Sequence, residues 1–178
     1  MVQRNRDSIV YKLFRRRRKP EQGVAEKLST TPLFKEFSDR ELCRLEQVLY
    51  LRIFKKGEYI FREGTPGYAF FVLIEGKIHL SREGQLGEEK PAGILNPGEM
   101  LGELVILCAT DRKFSAQAAE DCELAVLFKH DFVELIRSYP ETGVKILLSM
   151  TRLMGERYLD LLDSLGPEAR PLKEKKLI

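Results

Sequence analysis

The stretch GEMLGELVILCATDRKFSAQAAED, from Gly98 to Asp121, gathers residue types that suit an anion. Gly102 lets main chain approach a ligand closely. Arg112 offers a forked, charge-assisted hydrogen bond of the kind that suits phosphate oxygens. Glu103 can accept from a hydroxyl. The apolar run Leu104–Leu107 between them reads as a short helical turn, whose first N–H groups lack intrahelical partners and carry partial positive charge. These parts together make a small cradle for an anionic, hydroxyl-bearing ligand. The plainer alternative is a helical turn between two strands with its charges facing water.

Other chemistries find less support. His79 and His130 are the only histidines, too few for the converging ligands of a metal site. There is no Gly-x-Ser-x-Gly elbow, no Walker-type loop and no Cys–His pairing. Glu103 and Arg112 could move protons, but no nucleophile accompanies them. The expectation is a protein that binds without catalysis and holds no metal or cofactor. Cys43, Cys108 and Cys122 are scattered and odd in number. They fit neither a disulfide framework nor a zinc or iron–sulfur site, and each reads as a small buried hydrophobe.

The elements that must position the cradle follow from periodicity. Thr31-Pro32-Leu33-Phe34 and Ser38-Asp39-Arg40-Glu41 both read as helix starts, the second as a capping box, with Leu42, Leu45, Val48 and Leu49 as the buried stripe. The pattern then turns strand-like. Strands are expected over Tyr50–Phe54, Tyr59–Phe61, Ala69–Ile74, Lys77–Leu80, Phe114–Ala119 and Leu124–Phe128. Turns fall at Gly64–Gly67, Glu75-Gly76 and Asn96–Gly98, and Gly84 and Gly87 punctuate a hairpin. Such spacing predicts a barrel or sandwich. Beyond it, Asp131–Tyr139 reads as a short helix closed by Pro140, and Glu141–Leu165 as a long one stopped by Gly166-Pro167. Ile146, Leu147, Met150, Leu153, Met154, Tyr158, Leu161, Leu162 and Leu165 form its apolar stripe. That stripe is either a pairing seam for a homodimer or a face folded back on the chain's own barrel.

The chain has 178 residues, 43% hydrophobic and 32% charged, a globular balance. Its net charge of +3 is unevenly placed. Residues 1–19 carry +7, leaving −4 for the remainder. A polyanion or an anionic membrane surface would therefore be met by the arm, above all by Arg15–Lys19. Ile9, Val10, Leu13 and Phe14 gather on one helical face beside that run. The arm is thus a basic amphipathic helix laid on a membrane surface or a partner groove, a solvated extension, or a segment whose apolar face packs on its own domain. No apolar run approaches the roughly 20 residues of a membrane-spanning helix, and no signal core opens the chain. The expected compartment is the cytoplasm, with peripheral membrane contact through the arm as a further option.

From about Leu33 to Leu165 the chain resembles the cyclic nucleotide-binding domain family, which includes catabolite activator proteins and kinase regulatory subunits. Two blocks carry the resemblance. KKGEYIFREGTPGYAFFVLIEGKI is similar to the family's strand–turn–strand signature, with Gly57, Gly64 and Gly76 at its glycine positions. The Gly98–Asp121 stretch is similar to its phosphate-binding cassette. The resemblance implies a mainly β fold with flanking helices: a jelly-roll-like β-roll, or double-stranded β-helix, with N-terminal helices and a long C-terminal helix. The expected layout is a basic arm over 1–20, N-terminal helices over 21–48, the β-roll with its cassette over 49–129, C-terminal helices over 130–165 and a polar tail over 166–178.

The resemblance further implies a regulatory module that binds cAMP, or cGMP, and signals through its C-terminal helices to an unknown protein partner. It assigns Gly102, Glu103, Leu104, Arg112, Lys113 and Ser115 to the ligand, with Arg112 on the phosphate and Glu103 on the ribose 2′-hydroxyl. Phe114 and Tyr158 are candidate pocket or lid residues, with packing in the core the alternative for Phe114 and the helical seam the alternative for Tyr158. Two departures from the family pattern bear on this. Lys113-Phe114 replaces two small residues, and strand alternation from Arg112 would aim Phe114 into the pocket unless the preceding turn breaks the count. Asp111 stands where proline is common and could pair with Arg112. The competing reading is a degenerate domain whose pocket is closed, acting as an interaction or dimerisation module tethered by its arm. Too little chain follows the long helix for a helix-turn-helix reader, so sequence-specific DNA binding is not expected.

Overall fold

The computed structural model describes residues 23–84, 86–108 and 110–165. The basic arm and the polar tail lie outside the described residues. Two short N-terminal helices, α1 (Val24–Ser29) and α2 (Asp39–Glu46), lead into eight strands. These are β1 (Leu49–Phe54), β2 (Tyr59–Phe61), β3 (Ala69–Glu75), β4 (Ile78–Glu83), β5 (Glu89–Leu95), β6 (Met100–Leu101), β7 (Ser115–Ala118) and β8 (Cys122–Phe128). The four-residue α3 (Leu104–Leu107) interrupts them, and α4 (Lys129–Ser138) and α5 (Pro140–Leu165) follow. The strands form two four-stranded antiparallel sheets, ordered β1-β8-β3-β6 and β2-β7-β4-β5, the double-sheet arrangement of a jelly roll.

The continuous apolar runs of β3 and β8 are explained by burial on both faces. Phe71 and Leu73 of β3, with Leu124, Val126 and Phe128 of β8, point between the sheets. Phe70, Val72, Ala125 and Leu127 point the other way, into a second core shared with the helices. Leu28, Phe34, Leu45, Ile146 and Met150 close that second core. The first half of α5 thus folds back on its own barrel. Its last turns leave it, and Leu159, Leu161 and Leu165 are exposed.

Several boundaries differ from expectation for physical reasons. Thr31–Phe34 makes successive i to i+3 turns rather than an α-helix, with Phe34 N bonded to Thr31 O and Phe37 N to Phe34 O. At Ser38 the Glu41 carboxylate accepts from both the main-chain N–H and the hydroxyl, each at 2.8 Å. Pro140 opens α5 instead of merely closing α4, since the first helical position needs no N–H donor. β5 is almost wholly exposed and contains Pro91, and it lies at a sheet edge where proline is tolerated. Of the cysteines only Cys122 is buried. Cys43 and Cys108 are exposed, which corrects the expectation for those two.

Candidate functional site

The cradle is assembled from three directions. β3 and β6 pair through Phe71 with Leu101 and Val72 with Met100, which sets Gly102 at the end of a buried strand. Gly102 then turns the chain at φ +79° into α3, a left-handed conformation that favours glycine. Opposite, the loop between β2 and β3 holds the main chain of Arg112: Arg112 N–H donates to Thr65 O, and Gly64 N–H donates to Arg112 O, both at 2.9 Å. The third direction is α5, which brings Arg157 to the rim.

Arg112 is 6% exposed. Its Nη2 donates to Ala69 O at 2.7 Å and its Nη1 more weakly to Gly102 O at 3.4 Å. The guanidinium carbon lies 4.1 Å from the Phe61 ring centre and 5.5 Å from that of Phe71, so the cation rests on aromatic faces. Nε is buried without a hydrogen-bond partner. Burial pushes the guanidinium pKa down to about 10 while Glu103 pulls it back up, and the group is a full cation at neutral pH. A buried cation hydrogen-bonded only to neutral carbonyls, with its Nε unpartnered, is suited to receive an anion.

Glu103 is nearly buried, its side chain 12% exposed. Gly102, Glu103, Leu104, Arg112, Lys113 and Phe114 line one cleft with Phe61, Leu80, Met100 and Arg157. Ser115 does not line it: its Oγ accepts the Glu63 N–H at 3.0 Å and so fastens the β2–β3 loop. Tyr158 is exposed on α5 and is likewise not among the lining residues. Phe114 precedes β7, so strand alternation does not govern it. It sits on the rim, 36% exposed, with the Arg82 guanidinium 5.8 Å from its ring centre. Asp111 is exposed, and the hydrogen bonds of the Arg112 side chain run to carbonyls rather than to that carboxylate.

Arg157 is the site residue that the sequence reading left unassigned. Its Nη2 donates to Met100 O at 2.9 Å and lies 3.7 Å from Glu99 Oε1, and its Nη1 lies 3.8 Å from Glu103 Oε1. A signal existed. Ile146, Met150, Leu153 and Arg157 share one helix face at four- and three-residue steps, so an arginine continues a buried stripe and must find acceptors there.

Comparison with known proteins identifies the family. The chain is 33% identical over 131 residues to the cyclic AMP receptor protein of Thermus thermophilus, covering 74% of this chain and 61% of that one. It is 31% identical over 111 residues to the cGMP-dependent protein kinase egl-4 of Caenorhabditis elegans, covering 62% of this chain and 14% of the kinase. The chain therefore spans about three-fifths of the first relative and a small part of the second. In fold it matches a cyclic nucleotide-binding domain from Methylobacillus flagellatus, with a TM-score of 0.72, 20% identity and 84% of each chain covered. The cyclic nucleotide-binding domain model matches residues 51–139, half of the chain, and on that match the protein belongs to the cyclic nucleotide-binding domain family.

Proposed function

We propose that this protein is a regulatory domain that binds cAMP in the cleft between α3, Arg112 and α5, without catalysis. The observation that carries the proposal is Arg112, a buried cation with an unpartnered Nε–H, set beside Gly102 and Glu103. A cyclic phosphate supplies the missing charge, and a ribose hydroxyl suits the shielded Glu103 carboxylate. cAMP is preferred to cGMP because Lys113, the residue after the phosphate arginine, has no hydroxyl to offer a guanine. Phe114 lines the cleft while 36% exposed, which supports placing it at the mouth beside the ligand rather than in its seat.

The signal would pass through α5, which touches the cleft at Arg157 and presents exposed Leu148, Leu159, Leu161 and Leu165 for a partner or a second copy of the chain. Calorimetric titration of nucleotide-free protein with cAMP and cGMP tests the proposal. Micromolar or tighter cAMP binding is expected. It should weaken at least about a hundredfold in Arg112→Lys, which keeps the charge but loses the fork. Absence of heat and of any thermal shift with a folded sample refutes it. The unliganded interaction module then becomes the better reading.

A further inference from the structure

Resting on that reading, we infer that Phe114 is the platform on which the ligand's base stacks, so that the cleft selects a two-ring base over a one-ring base. With the phosphate on Arg112 and the ribose hydroxyl on Glu103, the base is the part of the ligand left for the mouth. In a 3′,5′-cyclic nucleotide the base leaves the sugar on the side away from the phosphate ring. Phe114 stands two residues beyond Arg112, a span of at most about 7 Å of chain. The family pattern has a small residue at this position, so the platform is a feature of this chain.

The aromatic residues that line the cleft are Phe61 and Phe114. The Phe61 ring already carries the Arg112 guanidinium, 4.1 Å from its centre. Tyr158 is exposed on α5 and does not line the cleft. Phe114 belongs to neither apolar core, and its ring lines the cleft while still open to water. A planar base laid on it would remove that surface from water and add a stacking contact.

The ring is also held. The Arg82 guanidinium carbon lies over it, 5.8 Å from its centre. Arg82 is not a lining residue, which places the cation on the side of the ring turned from the cleft. Arg82 is steered in turn by Glu63, whose Oε1 lies 3.9 Å from its Nε. The other oxygen of Glu63 accepts the Glu83 N–H at 2.7 Å. Ser115, the neighbour of Phe114, accepts the Glu63 N–H at 3.0 Å. Contacts thus run from Phe114 through Arg82 and Glu63 back to the residue beside it. Such a circuit sets the ring plane before a ligand arrives, so less freedom is lost on stacking.

The test titrates full-length, nucleotide-free wild type, Phe114→Ala and Phe114→Tyr with cAMP and with cCMP, whose base has one ring. Phe114→Ala should bind cAMP about tenfold more weakly than wild type, and cCMP should lose less, so the preference for cAMP narrows. Phe114→Tyr keeps an aromatic face and should stay within about twofold of wild type. The chain has no tryptophan, so Phe114→Trp adds a single emitter at the platform. Its fluorescence should fall as cAMP binds.

Unchanged or tighter cAMP binding by Phe114→Ala would overturn the platform, the tighter case making Phe114 an obstruction. An equal loss for both nucleotides, a loss in Phe114→Tyr as large as in Phe114→Ala, or tryptophan emission indifferent to bound cAMP would overturn it as well. Wild type that binds neither nucleotide sinks the functional reading and the platform together. Wild type that binds cAMP without regard to Phe114 sinks the platform alone.

Discussion

At Gly102 two independent constraints meet. The backbone there stands at φ +79°, and a Cβ built on it would collide with Arg112 Nη1 and come within 3.4 Å of Ala69 O. The first constraint costs on the order of 1 kcal/mol for an L-residue. The second pushes away the guanidinium that the phosphate needs. Gly102→Ala should therefore lower stability by about 1–3 kcal/mol in urea unfolding. It should also weaken cAMP binding by more than the stability loss explains, because the displaced group is the one that binds. A variant that unfolds more easily but titrates like wild type would show that Arg112 can shift without consequence, and that the close fit is only packing. Phe114 lies at the other extreme. On the rim and 36% exposed, it should tolerate Phe114→Ala with a change in stability below about 1 kcal/mol by thermal melting.

Among the elements, the pairing of α4 with α5 sets how α5 leaves the barrel. Gly143 is where the two helices touch: a Cβ there would lie 2.6 Å from Ile136 Cγ1 and 3.0 Å from Ile136 Cα. The side chain could rotate away, but the main chain of α4 cannot. Gly143→Ala should cost about 1–3 kcal/mol even though alanine favours helix, and a melting temperature at or above wild type would refute the close-packing account. The strands show what a sequence reveals of such elements. The doubly buried runs of β3 and β8 and the turn glycines around them carry strong local signals, and the expected spans lie within two residues of those observed. β5 carries little signal, because an exposed edge strand with a proline has no apolar alternation to read. The cassette was legible because its charged residues are close in sequence. Arg157 was not assigned, because its acceptors lie more than fifty residues upstream and only the fold brings them under α5. The resemblance assigns Ser115 to the ligand, and the main-chain N–H of Glu63 that its Oγ accepts lies fifty-two residues away, a partner no local pattern shows.

Across the whole molecule, the N-terminal and C-terminal helices are joined by charges as well as by the shared core. Lys145 of α5 donates to Glu41 of α2 at 2.8 Å, and Arg152 donates to Glu36 at 2.7 Å. The Glu41 pair is the more shielded, with side chains 18% and 33% exposed for Glu41 and Lys145. Burial alone would raise the Glu41 pKa. Hydrogen bonds from Lys145 and from Ser38 outweigh it and hold the carboxyl down at about 2, against 4.5 for the unperturbed group. A carboxylate with a depressed folded pKa stabilises the native state fully above its unfolded pKa. That contribution is lost as pH falls from about 4.5 to about 2. Glu41→Gln should therefore be less stable than wild type by about 1–2 kcal/mol at pH 7, the value being discounted for solvent screening. The difference should persist to about pH 5 and close as the pH approaches 2. Urea unfolding of both proteins across that range measures it. Because Glu36, Glu88 and Asp121 titrate in both proteins, their contributions cancel in the difference. A gap that stays constant down to pH 3 would mean that glutamine costs the fold its helix cap at Ser38, not its charge. The link between the helices would then rest on the apolar core alone.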